Sequence, residues 1–218
     1  MRIPNHIGII PDGNRRWAKK AGMSKEKGYD YGLKPGLELF KLCREFGIKE
    51  ITYYGFTTDN TKRPAVQIEA FKKACVDAVK MLSREDAELL VIGNHESPIF
   101  PEELKPYTIR RRKFGNGGIK VNFLVNYGWH WDLNNLLKSE NNDRVSKKNL
   151  MNLLCSCDIS RIDLIIRWGG RRRLSGFLPV QSVYSDFYVV DDLWPDFKPN
   201  HFYDALKWYS KQDITLGG

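Results

Sequence analysis

A chain of 218 residues with 42% hydrophobic content can bury a core of ordinary domain size, and 35 Lys+Arg against 26 Asp+Glu leave a formal charge of +9 that attracts an anionic partner. The four cysteines show no C-x-x-C spacing, and with only four histidines they offer no zinc set, which excludes a disulfide scaffold and a zinc module and fits a reduced, cytoplasmic compartment. No apolar run approaches the roughly 18 residues of a membrane span, and the first residues lack the pattern of a signal peptide.

In chain order, HIGII (6–10), EITYYGF (50–56), LLVIG (89–93), IKVNFLVNYG (119–128) and DLIIR (163–167) read as strands, almost continuously apolar as expected when both faces of a sheet are covered. Between them, helical spacing runs over 35–46, 65–83, 131–138 and 147–155, and a closing helix over 200–211. The alternation predicts an α/β fold with a central, mostly parallel sheet flanked by helices. The polar stretch LKSENNDRVSKKN reads as a surface loop, so residues 1–218 are expected to form one domain.

Ligands of open parallel sheets bind outside the carboxyl ends of the strands. Those ends carry PDGNRRW, TTDNTKRP, NHES, WHWD and WGGRRRLS, which together gather Arg15, Arg16, Arg63, Arg167, Arg171, Arg172 and Arg173. A strand passing through Asp12, Gly13 and Asn14 into a helix leaves free N–H groups where the dipole favours an anion, and Arg15 and Arg16 add full charges: a diphosphate cradle. Asp12 binds anions poorly, so it either caps the helix or supplies an oxygen to Mg²⁺. Guanidinium forks suit phosphate, the glycines before Arg171 permit close backbone approach, and Ser175 adds a hydroxyl. The RRRK run at 110–113 has no strand end beside it and is given no catalytic role. No nucleophile triad, P-loop or dinucleotide motif follows a strand, which leaves metal-assisted chemistry on phosphates. Nucleic acid is not expected as a partner, because RRM, KH and zinc-finger signatures are absent and the basic residues gather at strand ends.

These residues resemble the cis-prenyltransferases, the undecaprenyl diphosphate synthase family. The resemblance runs through HIGIIPDGNRRWAKKAG, GFTTDNTKRP, VNYGWHWDL and DLIIRWGGRRRLSGFLPVQSVYSDFYVVDDLWPDF. It implies a hydrophobic tunnel, a dimer, homomeric or heteromeric, isoprenoid diphosphate substrates and Mg²⁺. Peripheral membrane contact through a lipid product would follow. By position it makes Asp12 the acid that handles Mg²⁺, with Gly13, Asn14, Arg15, Arg16, Trp17, Lys25 and Tyr29 around the first diphosphate. Asn60 and Arg63 would stand near the reacting carbons, Arg167, Arg173 and Ser175 match the second site, with Arg171 beside them as a further candidate substrate contact, and Asp186 would reach the metal across a pair of subunits.

The departures bear on product. Tyr29 stands for the family's histidine, Asp59 for a glutamate, Thr61 for an aromatic residue and Arg171 for the glutamate after the paired glycines. The terminal QDITLGG lacks the family's arginines. A rebuilt second site implies a short-chain or non-head-to-tail prenyltransferase, the latter giving branched, lavandulyl-like products, with isopentenyl or dimethylallyl diphosphate as second substrate. The same missing arginines would also suit the active subunit of a heteromeric long-chain synthase. Phe71, Met81 and Leu82 either block elongation or belong to the core.

Overall fold

The computed structural model describes residues 1–138 and 151–213. Its strands are β1 (His6–Ile10), β2 (Glu50–Tyr54), β3 (Ala87–Ile92), β4 (Arg112–Phe114), β5 (Ile119–Leu124), β6 (Leu164–Arg167) and β7 (Asp186–Val189). They form one sheet in the order β4-β3-β5-β2-β1-β6-β7, parallel except for the antiparallel edge pair β3/β4. The helices are α1 (Asn14–Lys20), α2 (Gly28–Tyr31), α3 (Leu33–Glu45), α4 (Ala65–Leu82), α5 (Trp129–Lys138) and α6 (Pro199–Tyr209). The predicted loop at 137–149 lies almost wholly outside the described residues, as does most of QDITLGG; of the helix predicted over 147–155 the described part is helical only at Met151 and Asn152 and turns from Leu153 onward.

Strand alternation divides the core between two faces. Ile7, Ile9, Ile51, Tyr53, Leu89, Val91, Val121 and Phe123 pack on one side, with Leu39, Phe40, Val79 and Phe202 from the helices. Ile10, Tyr54, Leu90, Ile92, Leu124 and Ile165 pack on the other with Ile162, Phe177 and Leu178. Burial on both faces explains why these strands lack a polar face. The strand predicted over 119–128 stops at Leu124; Val125–Gly128 leaves the sheet, and Tyr127 bridges Thr57.

Polar side chains fill the sheet's other end. His6 Nε2 lies 2.8 Å from Thr52 Oγ1, Asn122 Nδ2 donates to Glu50 Oε1 at 2.7 Å, and Ser160 Oγ donates to Glu50 Oε2 at 2.7 Å. Burial holds the His6 pKa below its ordinary value, opposed by the nearby Glu50 and Asp163 carboxylates; Arg111 bonds the same Asn122. A depressed folded-state pKa means that the unfolded chain takes up the proton first. His6 therefore contributes stability that is present above about pH 6.5 and is lost as pH falls toward the folded value. Melting curves should show Tm falling below about pH 6.5, by about 2–4 °C per kcal/mol lost, and His6→Asn should flatten that slope.

No helix among the described residues is long and apolar enough to cross a membrane.

Candidate active site

Asp12 lies two residues past the end of β1, after Pro11, and the chain turns there because Gly13 takes φ +119° as the N-cap of α1, a conformation that a side chain would strain. The Asp12 carboxylate makes no capping bond to α1. It points across the sheet rim: Oδ2 accepts from Arg167 Nη2 at 2.8 Å, and Oδ1 lies 3.4 Å from Arg16 Nη2. Of the two roles open in the sequence, helix capping is thereby removed.

Arg167 ends β6, level with Ile10 in the neighbouring strand, and is 3% exposed. Its Nη1 donates to Ser175 Oγ at 3.0 Å and to the Arg173 carbonyl, and its Nε is buried without a partner. Ser175 sits at φ +55°, and the Tyr54 hydroxyl holds its carbonyl at 2.7 Å. A non-glycine residue in the left-handed region persists only where its surroundings fix it, and this one presents a hydroxyl to the rim. Arg16 also donates to the Gly169 carbonyl at 2.9 Å; a Cβ on Gly169 would stand 2.3 Å from that guanidinium nitrogen.

The facing wall comes from the turn after β2. Asn60 Oδ1 accepts the Thr57 N–H at 3.3 Å, closing a 3-10 turn over Thr58–Lys62 that delivers Arg63. Arg63 Nη1 donates to the Tyr29 hydroxyl at 2.9 Å. Burial raises the Tyr29 pKa and lowers that of Arg63, so at neutral pH the phenol is neutral and the guanidinium charged. Arg15 reaches Gln67 Oε1 at 3.3 Å.

These groups enclose a cleft of about 540 Å³. Asp12, Gly13, Asn14, Arg15, Arg16, Lys25, Tyr29, Asn60, Arg63, Arg167, Arg171, Arg173 and Ser175 all line it. Trp17 does not: its place on α1 turns the ring outward, where Nε1 bonds Asp196 Oδ1 at 2.7 Å and the ring meets Tyr31. Asp186 does not either. It opens β7 level with Leu164, which is level with Ile7, about 10 Å along the strands from the Arg167 rim, and its carboxylate pairs with Arg2 at 3.7 Å. Within one subunit Asp186 and Asp12 cannot share an ion; a common metal would need a second copy of the chain. Three further residues at the cleft, Tyr54, Gln67 and Lys19, are not among the sequence candidates. Tyr54 and Lys19 line the cleft, while Gln67 reaches it through Arg15. Tyr54 carries a signal in its place near the carboxyl end of the predicted strand EITYYGF.

Beside the cleft lies an apolar pocket of about 90 Å³ between the sheet, α3 and α4, bounded by Ala74, Ala78, Met81, Leu82, Phe123 and Trp194. This recess does not by itself show the tunnel expected from sequence.

The family model described as "Putative undecaprenyl diphosphate synthase" matches residues 10–217. The chain belongs to the cis-prenyltransferase family. Its relatives include the "Ditrans,polycis-undecaprenyl-diphosphate synthase ((2E,6E)-farnesyl-diphosphate specific)" of Buchnera aphidicola subsp. Schizaphis graminum, 34% identical over 98% of this chain and 91% of that one. The Escherichia coli (strain K12) enzyme of the same name is 33% identical over 98% and 89%, and an "Isoprenyl transferase" of Thermus thermophilus is 34% identical over 99% and 89%. Among solved structures, lavandulyl diphosphate synthase from Lavandula x intermedia, in complex with dimethylallyl diphosphate, superposes with a TM-score of 0.85 at 24% identity, covering 99% of this chain and 98% of its own, and shows the shared fold. This cis-prenyltransferase is thus a prenyl-transferring enzyme, with all its candidate site residues but Trp17 and Asp186 gathered in one cleft.

Proposed function

We propose that the cleft holds an allylic diphosphate and a second isoprenoid diphosphate and joins their carbon skeletons into a short product. The observation that carries this reading is the 2.8 Å contact of Asp12 with Arg167 inside one arginine-lined cavity. The allylic C1–O bond breaks and diphosphate leaves with the electron pair; the double bond of the second substrate attacks C1, and a proton departs from the resulting cation. Arg16, Arg63 and Arg167 are placed to stabilise charge gathering on the leaving diphosphate, worth more in a partly dry cleft than in water.

Mg²⁺ fits this donor set. The ion takes one or two carboxylates and completes its shell with substrate phosphate oxygens and water, and Asp12, one-third exposed at the rim, offers one carboxylate beside the cationic groups. Bound there, Mg²⁺ would neutralise the diphosphate as a Lewis acid.

The short recess favours a short product. An enclosed apolar cavity of about 150 Å³ takes one benzene, so a recess of 90 Å³ that opens to the cleft has no room for a long tail. Arg171 is exposed at the cleft and brings a cation where the family has a carboxylate, which favours a second dimethylallyl diphosphate in the acceptor site and a branched, non-head-to-tail bond. The enzyme would work as a dimer and release a lipid that draws it to membranes.

Incubation of the purified chain with Mg²⁺ and dimethylallyl diphosphate, with and without isopentenyl diphosphate, followed by mass spectrometry and NMR of the product, tests the reading. Ten-carbon products are expected. A long polyprenyl chain would sink the short-product reading, and inactivity with every substrate pair would sink the stand-alone enzyme in favour of one half of a heteromer. Arg171→Glu should raise the share of product built on isopentenyl diphosphate by about tenfold, the order of a single cleft contact; an unchanged profile would refute the rebuilt acceptor site.

A further inference from the structure

Arg171 and Arg173 reach the cleft from a segment, 168–174, that is neither helix nor strand. What holds this segment comes from behind it. The Gly169 N–H donates to the Asp192 carbonyl at 2.8 Å and the Gly170 N–H to the Val190 carbonyl at 3.0 Å, so the stretch that follows β7 carries the glycine turn. That stretch also braces the first diphosphate loop, because the Trp194 N–H donates to the Asp12 carbonyl at 3.0 Å.

One side chain closes the frame. His201, in the first turn of α6 and largely buried, has Nε2 2.9 Å from Asp192 Oδ2, while its Nδ1 meets the Trp168 indole Nε1 at 3.3 Å and the Lys198 N–H at 3.2 Å. An indole and a backbone amide can only donate, so Nδ1 is the acceptor and the ring hydrogen sits on Nε2, facing the carboxylate. The contacts run in a circuit: His201 joins the side chains of Trp168 and Asp192, and the Asp192 carbonyl returns to Gly169, the residue after Trp168. Trp168 is fully buried, edge-on to Trp194 with centroids 4.8 Å apart. Trp168, Asp192 and His201 themselves stand outside the cleft lining.

We propose that His201 is a positioning residue for the second diphosphate: by tying Trp168 to Asp192 it fixes the glycine turn, and with it the backbone from which Arg171 and Arg173 reach the cleft. The proposal rests on the prenyl-transfer reading above and adds a residue behind the site that sets the grip on the second substrate. Without the imidazole, the buried indole N–H has no acceptor and Asp192 loses its anchor on α6, so the turn is held by its backbone bonds alone. Arg16 bonds the Gly169 carbonyl but also pairs with Asp12, so the first site keeps a tether of its own.

Calorimetric titration of the full chain with dimethylallyl S-thiolodiphosphate, whose C–S bond resists ionisation, tests this in the presence of Mg²⁺. On the reading above the analogue fills both sites in two steps; where it takes only one equivalent, isopentenyl diphosphate added afterwards supplies the second. His201→Phe keeps a ring but makes neither bond, and should weaken the second step about tenfold, the order expected when one buried donor loses its acceptor, while the Mg²⁺-dependent first step stays within twofold. Asp192→Asn still accepts from Nε2 and should match the unmodified enzyme in both steps. If His201→Phe fails to melt cooperatively, His201→Gln, which reaches Asp192 but leaves the indole without its acceptor, decides with the same selective loss expected. An unchanged second step in the folded variant, or an equal loss in both steps, would overturn the positioning role and leave the diphosphate sites intact. Failure of the analogue, isopentenyl diphosphate and inorganic diphosphate to bind the unmodified enzyme would instead overturn the prenyl-transfer reading, and the positioning role with it.

Discussion

Asp12→Ala is expected to lower turnover by about 1,000-fold or more, because no other described carboxylate lines the diphosphate cleft except Asp59, whose side chain is 84% exposed and pairs with Lys62. The same change strips Arg167 of its carboxylate. A cation that is 3% exposed and already carries an unpaired Nε is then left with only neutral partners. Breaking a fully buried pair costs about 3–5 kcal/mol, and since Asp12 is one-third exposed, water softens the loss to about 1–2 kcal/mol. Asp12→Asn retains an acceptor for Arg167 without the charge that Mg²⁺ requires. Steady-state rates should therefore fall in both variants, whereas melting temperature should fall mainly in the alanine variant. Turnover within tenfold of the unmodified enzyme in either one would show that the carboxylate is not where the metal is handled.

Arg167→Lys should be nearly as damaging, with kcat reduced about 100-fold although the charge is kept. The guanidinium meets Asp12 Oδ2, Ser175 Oγ and the Arg173 carbonyl together, and it thereby sets both the acid and the loop that carries Ser175. An ammonium on a flexible stem cannot reproduce that fork, so Ser175, held at φ +55°, loses one of its two tethers and the Tyr54 bond remains. The defect should include a raised KM for the second substrate. A lysine variant with unchanged KM and kcat would show that the arginine acts only as a point charge.

The sheet was legible where burial on both faces leaves an unbroken apolar run, as in HIGII, and so was the clustering of polar motifs at strand ends. Two strands escaped. In β4, RKF is an edge strand with Arg112 and Lys113 exposed, so the basic run at 110–113 hid it; there Arg111 alone turns inward, bonding Asn122 and the Glu88 carbonyl. In β7, DFYV is half-buried throughout and shows neither alternation nor an apolar run. Missing β7 concealed the position of Asp186, since the first residue of a parallel strand stands at the rim away from the site. Trp17 shows a second limit: a motif names the residue, and only packing of a helix says which way its ring points. The contact of Asp12 with Arg167, 155 positions apart, depends on the β1/β6 register, which no local pattern encodes.

The most direct measurement of the central claim is the affinity of dimethylallyl S-thiolodiphosphate with and without Mg²⁺, for the unmodified enzyme and for Asp12→Asn. Mg²⁺ should tighten binding at least about tenfold in the first and leave the second unchanged. Binding that ignores both Mg²⁺ and the Asp12 charge would contradict it.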